Sequence, residues 1–169
     1  MVLTELWFWG VVFLVAALME VWAMLLHGCF WHRILWWGHA SHHRPRHGPF
    51  ELNDIFSVGH AAIAIALIVY GLEAGPGMAN QMMVAIGFGM TGFGVCYFVV
   101  HDGYIHGRLP VGFLHRFAYM RRIRSAHVYH HSFDHVGPYG LFLGPWELAR
   151  QKRLRRRVRR SGPMSASVR

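Results

Sequence analysis

Three long runs of apolar residues dominate the first 100 positions of the chain. They cover residues 6–26, 55–72 and 82–100, contain 18 to 21 residues each, and include a single charged side chain, Glu20. As a helix, each run is long enough to cross the hydrocarbon core of a bilayer. The pattern predicts an all-α integral membrane protein with three transmembrane helices, in which residues 72–81, with Gly75-Pro76-Gly77, form a turn.

Two later segments are apolar but shorter or interrupted. Residues 109–120 include His115 and Arg116, and residues 136–148 include two prolines and three glycines. Such segments are expected to lie in the membrane interface or to re-enter the bilayer. The prediction is therefore three to four transmembrane helices within a membrane-embedded domain over residues 1–148.

Basic residues give this domain an orientation. All 17 Lys and Arg lie within residues 33–46 or after residue 107. By the positive-inside rule, the segments after the first and third runs and the C-terminus are cytoplasmic, and the N-terminus is outside. Residues 149–169 are predicted to be a flexible basic tail that binds anionic lipid, or alternatively an acidic electron-transfer protein. Nucleic-acid binding is disfavoured because the tail follows membrane spans and 54% of the chain is hydrophobic.

Histidines carry the chemistry that the sequence suggests. The spacings H-x4-H and H-x2-H-H occur in residues 27–47 and again in residues 101–131, each time after an apolar run. The ten spaced histidines are His27, His32, His39, His42, His43, His101, His106, His127, His130 and His131. Residues i, i+3 and i+4 share a helical face, so each H-x2-H-H set is expected to converge. Each H-x4-H pair needs a helix end that bends or unwinds, near Gly28 or near Gly103 and Gly107.

Ten neutral imidazoles are too many ligands for one metal ion. Two ions with about five ligands each would use them, and imidazole suits Fe, Cu, Zn and Ni. Neither of the two cysteines belongs to a zinc-finger pattern, so a di-iron site at the cytoplasmic face is favoured. A metal transporter or metal sensor is the non-enzymatic alternative. It would need a polar path through the spans, and only Glu20 and His60 are available.

Acidic and amide side chains near the histidines are candidates for orienting them through hydrogen bonds. These are Glu20, Asn53, Asp54 and Asp102. A local helix contact for Glu20, and helix capping for the other three, are equally compatible with the sequence. The other histidines, His47, His60, His115 and His135, are predicted to be surface or hydrogen-bonded residues. Gly87, Gly89, Gly92 and Gly94 indicate either close helix packing or a slot for a planar substrate.

Local sequence around the histidines resembles a known family. The stretches that carry the resemblance are residues 42–46, 50–54, 101–103 and 139–145, together with the four histidine boxes and the order of the spans. Over residues 17–148 the chain resembles the bacterial and plant β-carotene 3-hydroxylases, within the membrane-bound fatty acid hydroxylase and desaturase superfamily.

This resemblance implies a non-haem di-iron monooxygenase of the bacterial inner membrane, with the ten spaced histidines as metal ligands. It would use O2 and electrons from reduced ferredoxin to hydroxylate C3 of β-ionone rings, converting β-carotene through β-cryptoxanthin to zeaxanthin, and canthaxanthin to astaxanthin. The substrate would enter from the bilayer. Another lipid hydroxylase or desaturase, acting on a fatty acyl or sterol substrate, is the alternative within the superfamily.

Overall fold

The structure, a computed structural model, describes residues 5–45, 48–133 and 136–160. Within these ranges every regular element is helical, as predicted. The elements are α1 (Leu6–Leu25), a π-helical turn (Leu26–Trp31), α2 (Trp36–His39), α3 (Asp54–Glu73), α4 (Met78–Tyr97), a second π-helical turn (Phe98–Ile105), a 3₁₀ helix (Gly112–Arg116), α5 (Ala118–His131) and α6 (Gly144–Arg160). The predictions for His47, His135 and residues 161–169 fall outside the described residues.

Three of these helical stretches are long and apolar enough to cross a membrane. They are Leu6–Trp31, Asp54–Glu73 and Met78–Ile105. Their outward faces carry large apolar side chains such as Phe13 and Ile63, which are 70% and 54% exposed. Exposed apolar surface of this extent is typical of contact with lipid. The described part of the chain contains no fourth helix of this kind. Three to four transmembrane helices were predicted, and the described residues form three.

The third span and the turn before it differ from the prediction. Helix α4 begins at Met78 rather than at residue 82, and the connection from α3 comprises only residues 74–77. The side-chain amide of Asn80 donates to the carbonyl oxygens of Ala74 (3.1 Å) and Gly75 (2.9 Å), which caps the end of α3. The apolar run starts at Met82, but the preceding Met, Ala and Gln residues favour a helix just as strongly.

Helix α4 is the centre of the bundle, because it packs against both α1 and α3. Small residues allow these close contacts. A Cβ at Gly87 would lie 2.8 Å from the carbonyl oxygen of Ala64 on α3. A Cβ at Gly89 would lie 2.7 Å from the carbonyl oxygen of Val12 on α1. Of the two interpretations of the glycine-rich face, close packing therefore accounts for Gly87 and Gly89.

We expect Gly89→Ala to destabilise the bundle by about 1–3 kcal/mol, because the new methyl group has to displace packed backbone. It would lie 2.6 Å from Cβ of Val15 and 2.7 Å from the Val12 oxygen. Gly92→Ala is the matched control, since a Cβ there meets no atom within 4 Å. Thermal unfolding of the purified protein in detergent should show a lower midpoint for Gly89→Ala only. Equal losses in both variants would contradict the packing argument.

Helices α1 and α4 run in the same direction, which brings their C-terminal ends together. Phe8, near the start of α1, packs in one cluster with Val84 and Ala85 in the first half of α4, and edge-on against Phe88 at the middle of α4, with ring centroids 6.0 Å apart. Both helices continue into π-helical turns that carry the H-x4-H pairs. Both histidine segments therefore lie at the same end of the bundle, as the sequence predicts.

Helix α6 packs beside α5 at this end. The guanidinium of Arg155 donates to the hydroxyl of Tyr129 (3.0 Å), and the Lys152 ammonium lies 5.7 Å from the centre of the Tyr129 ring. The domain boundary predicted between residues 148 and 149 falls inside α6, so residues 149–160 of the predicted tail continue this helix.

Candidate metal centre

Two π-helical turns align the H-x4-H pairs. The backbone N–H of His32 donates to the carbonyl of His27, and that of His106 donates to the carbonyl of His101, each at 3.0 Å. These are hydrogen bonds between residues five apart, whereas an α-helix bonds residues four apart. In an α-helix the paired side chains would point about 140° away from each other. The expected bend or unwinding thus takes the form of a wider helical turn.

Glycines within these turns make room for neighbouring segments. A Cβ at Gly28 would lie 2.8 Å from the ring of Tyr139, and a Cβ at Gly103 would lie 3.0 Å from Leu109. Gly107, with φ of +68°, reverses the chain just after the second turn. Gly28 and Gly103 therefore permit close packing around the two π-helical turns, and Gly107 permits the chain to reverse after the second turn.

Nine of the ten spaced histidines form two compact groups, in each of which the candidate ligand nitrogens lie within 4.8 Å of one another. The first histidine group consists of His27, His32, His39, His43 and His130. The second histidine group consists of His42, His106, His127 and His131. The tenth residue, His101, lies beside the second group, with its Nε2 3.1 Å from Nε2 of His42. The arrangement contains two clusters of about five imidazoles.

Each H-x2-H-H set divides between the two groups instead of converging on one. His39 and His43 belong to the first group and His42 to the second, while His127 and His131 belong to the second and His130 to the first. The outer two residues of each set are four apart and point the same way, and the middle residue points to the other group. The ring of His43, in the first group, stacks on the ring of His131, in the second group, with centroids 4.4 Å apart.

Hydrogen bonds on the outer side of the imidazoles fix which nitrogen faces inward. Five Nδ1 atoms donate to acceptors around the groups. These pairs are His27 to the Tyr139 carbonyl (2.8 Å), His39 to Asn53 Oδ1 (2.7 Å), His42 to Glu51 Oε2 (3.1 Å), His101 to Asp102 Oδ2 (3.3 Å) and His130 to the Val136 carbonyl (3.2 Å). A neutral imidazole that donates through Nδ1 presents a lone pair at Nε2.

The close approach of the inward-facing Nε2 atoms to one another fits a bound metal ion. Nε2 of His27 lies 3.0 Å from Nε2 of His39 and 3.2 Å from Nε2 of His32. Because His27 and His39 each use the Nδ1 proton elsewhere, their facing Nε2 atoms hold only lone pairs and cannot hydrogen-bond each other. Several inward lone pairs around one point repel one another unless a cation lies between them. The donor set therefore suits a transition metal in each group.

Burial keeps these imidazoles in the form that binds metal. Removal from water lowers the pKa of His130 to about 3 and that of His131 to about 2. Burial also holds the pKa values of His42 and His127 well below the ordinary value for histidine. The four side chains are consequently neutral near pH 7, and neutral imidazole is the ligand form.

Arg108 joins the chain segments around the second group. Its guanidinium contacts carboxylate oxygens of Asp54 (2.9 Å), Asp102 (3.1 Å) and Glu51 (3.2 Å). Burial opposes the charge of Arg108, but the hydrogen bond to Asp54 and the charge of Asp102 outweigh it and raise the pKa of the guanidinium. Arg108 therefore stays charged and holds Glu51 and Asp102, the two carboxylates that accept from histidines.

The four residues predicted to orient histidines have different positions. Asn53 and Asp102 hydrogen-bond histidines directly, whereas Asp54 acts through Arg108. Within the ranges that the structure describes, Glu20 forms no hydrogen bond to a histidine, which was one of the two alternatives for it. It accepts from the backbone N–H of Leu143 (2.8 Å) instead. Seven residues of helix separate Glu20 from His27 by about 10 Å along the axis, which is too far for a side-chain hydrogen bond.

Glu20 nevertheless contributes to the site through the backbone of residues 139–143. Glu147 holds the same segment, since its Oε2 accepts from the N–H groups of Tyr139 (3.0 Å) and Gly140 (2.7 Å). The Tyr139 carbonyl in turn accepts from His27. Sequence reasoning did not select Glu51, Arg108, Tyr139 or Glu147. Glu51 could have been selected from its position beside Asn53 and Asp54, but a backbone carbonyl leaves no trace in the sequence.

An apolar cavity of about 830 Å³ lies among α1, α3 and α4 and ends near the second group. Phe56, Ala64, Gly94 and Phe98 are among its lining residues. Asp54, Asp102 and Arg108 also line it. A hydrogen bond of 3.2 Å between Trp22 and His60 links two lining side chains across α1 and α3. The cavity therefore connects a lipid-sized apolar space to the residues that orient the histidines.

The two other histidines that fall within the described ranges behave as predicted. His60 donates to the carbonyl of Phe56 (2.8 Å) in addition to its contact with Trp22. His115 is exposed and lies 3.0 Å from the hydroxyl of Tyr104. Neither belongs to a histidine group.

Comparison with known proteins places this arrangement in context. Residues 12–150 match the family profile described as fatty acid hydroxylase. The chain is 47% identical over 152 residues to Beta-carotene hydroxylase 1, chloroplastic, of Capsicum annuum, covering 85% of this chain and 48% of that protein. It is 50% identical over 131 residues to Beta-carotene 3-hydroxylase, chloroplastic, of Gentiana lutea, covering 77% and 41%. It is 43% identical over 129 residues to Beta-carotene hydroxylase of Pantoea ananas, covering 75% and 71%.

The chain spans less than half the length of these two plant relatives. No solved structure matches it.

Proposed function

The chain belongs to the fatty acid hydroxylase family, and from its similarity to β-carotene hydroxylases we propose that it hydroxylates C3 of carotenoid β-ionone rings. β-Carotene would be converted to β-cryptoxanthin and then to zeaxanthin, and canthaxanthin to astaxanthin. In each step a C–H bond, O2, two electrons and two protons give a C–OH group and water. The observation that carries the proposal is the pairing of two histidine groups with an apolar cavity that ends beside one of them.

The first and second histidine groups would hold two iron ions. When bound, such a redox-active pair supplies the activation of O2 that a saturated ring carbon requires, because no side chain can attack an unactivated C–H bond. His101 would complete the second group, since its Nε2 adjoins that of His42 at 3.1 Å. All ten spaced histidines then serve as ligands.

Side chains around the groups would keep the ligands in place during the reaction. Glu51, Asn53 and Asp102 hold imidazoles through Nδ1, so each ring keeps its Nε2 directed inward. Residues 136–143 do the same for His27 and His130 through backbone carbonyls. The apolar cavity would bind the polyene and exclude water from the reacting ring.

The distribution of basic residues supports a proposal for the orientation of the protein in the membrane and for its binding partners. The histidine groups and helix α6 would lie at the cytoplasmic face of the bacterial inner membrane, with the N-terminus outside. Helix α6 carries seven basic side chains between Arg150 and Arg159 that could bind anionic lipid. A ferredoxin-type protein would deliver the electrons at the same face, and its acidic surface would be attracted to this basic helix.

Expression of the chain in a bacterium that accumulates β-carotene tests the proposal. We expect zeaxanthin, with β-cryptoxanthin as the intermediate, when pigments are separated by chromatography. Unchanged β-carotene, with the protein present in the membrane and carrying iron, would contradict the carotenoid substrate. Analysis of fatty acids and sterol-type lipids in the same cells would then test the alternative hydroxylase or desaturase activity.

A further inference from the structure

The two histidine groups differ in the partners that hold them from outside. In the first group, the Nδ1 atoms of His27 and His130 donate to backbone carbonyls and that of His39 donates to an amide oxygen. These acceptors carry no net charge. At the second group, His42 and His101 donate to the carboxylates of Glu51 and Asp102.

A carboxylate that accepts a hydrogen bond from an imidazole changes the electron density of the ring more than a carbonyl oxygen does. It stabilises positive charge on the ring and raises the electron density at the opposite nitrogen, which makes that nitrogen a stronger metal ligand. Charge-assisted hydrogen bonds are also stronger than neutral ones, so the ring is held more firmly. By this reasoning the second group should bind a cation more tightly than the first.

Local charge acts in the same direction. Glu51, Asp54 and Asp102 surround Arg108, so three negative charges face one positive charge beside the second group. The acids that hold residues 139–143 near the first group, Glu20 and Glu147, accept from backbone N–H groups. Among the described residues, the carboxylates that contact ligand histidines directly, Glu51 and Asp102, are thus at the second group.

We propose that the two metal sites are unequal, and that Glu51, Asp102 and Arg108 are positioning residues that make the second histidine group the tighter and more electron-donating site. This inference rests on the proposed di-iron function. Glu51 and Asp102 each bridge a histidine and Arg108, so the guanidinium fixes both carboxylates in the orientation that accepts from Nδ1. The first histidine group, in which His27, His39 and His130 donate to neutral oxygens, is the weaker site and releases its ion first.

Two substitutions test the inequality in opposite directions. Glu51→Gln keeps an acceptor beside His42 but removes the charge. Asn53→Asp adds a carboxylate at the atom 2.7 Å from Nδ1 of His39. The full chain, loaded with ⁵⁷Fe in detergent, would be exposed to a chelator while the retained iron is measured. Mössbauer spectra of the loaded protein would report the two iron environments separately.

We expect the unmodified chain to lose one iron faster than the other. Glu51→Gln should weaken retention of the slow iron by about 10- to 100-fold, and Asn53→Asp should strengthen retention of the fast iron by a similar factor. Each variant should alter a different Mössbauer doublet. Glu73→Gln, which removes an exposed carboxylate at the opposite end of α3 from Asp54, should leave both doublets unchanged.

Equal release of the two irons in the unmodified chain would overturn the inference, as would Glu51→Gln and Asn53→Asp acting on the same doublet. The pigment assay separates this result from a failure of the proposed function. A chain that makes zeaxanthin but holds two equivalent irons refutes only the inequality. A chain that shows the expected iron behaviour but leaves β-carotene unchanged refutes only the carotenoid substrate.

Discussion

Replacing His130 with alanine is expected to reduce zeaxanthin formation to background. His130 is fully buried, and its Nε2 lies 3.0 Å from that of His32 within the first histidine group. Alanine removes one of the five imidazoles around a single point and leaves a cavity where water can enter. Because neighbouring ligands cannot move to replace the ring, the first group should lose its iron. Pigment analysis and iron content per protein would be measured together.

His115→Ala is the matched control for this prediction. It also removes an imidazole, one that contacts Tyr104 of the second π-helical turn, but His115 is exposed and lies outside both groups. Zeaxanthin formation and iron content should stay at the level of the unmodified chain. If His130→Ala retained both irons and full activity, the assignment of His130 as a ligand would be wrong. Equal loss in both variants would indicate a general effect on the fold.

The spacing of the histidines predicts which residues come together, but only part of their arrangement. The repeated spacings after two apolar runs are sufficient to predict one end of the bundle with about five imidazoles in each of two clusters. They do not specify that each H-x2-H-H set divides between clusters, because i, i+3 and i+4 are all neighbours on a helix surface. The division depends on the positions of α2 and α5 relative to both clusters.

The π-helical turns illustrate a second limit. An H-x4-H spacing at the end of a membrane helix indicates that an ideal α-helix is not maintained there. It cannot distinguish a bend from a widened turn, because both bring His27 and His32 to one side. Packing decides the outcome: Tyr139 lies against Gly28, and Leu109 lies against Gly103.

Contacts between distant segments were the hardest to predict. The sequence offers Glu20 either a histidine about two turns away or a local helix contact, yet Glu20 holds Leu143, 123 positions along the chain. The acceptors for His27 and His130 are backbone carbonyls, and any residue type can supply these. Arg108 gathers acids from two segments that the sequence separates by some fifty residues. Such contacts are consequences of the tertiary fold and have no local pattern.

Filling the apolar cavity is expected to abolish most activity without removing metal. Gly94 lines the cavity, and a Cβ added there meets no atom within 4 Å. A phenylalanine at this position should therefore extend its ring into the cavity and occupy the space proposed for the polyene. Product should fall by tenfold or more, because a misplacement of about 1 Å at the reacting carbon can cost on the order of 100-fold. Iron content should remain unchanged.

Gly92→Phe provides the control, because Gly92 is equally open but is not among the cavity-lining residues. Two positions along an α-helix correspond to about 200°, so the new ring would face away from the cavity. Gly92→Phe should keep both zeaxanthin formation and iron. Full activity in Gly94→Phe would mean that the carotenoid reaches the histidine groups by another route. Loss of iron in Gly94→Phe would instead assign its effect to the metal centre, so the two measurements together decide whether this cavity is the substrate site.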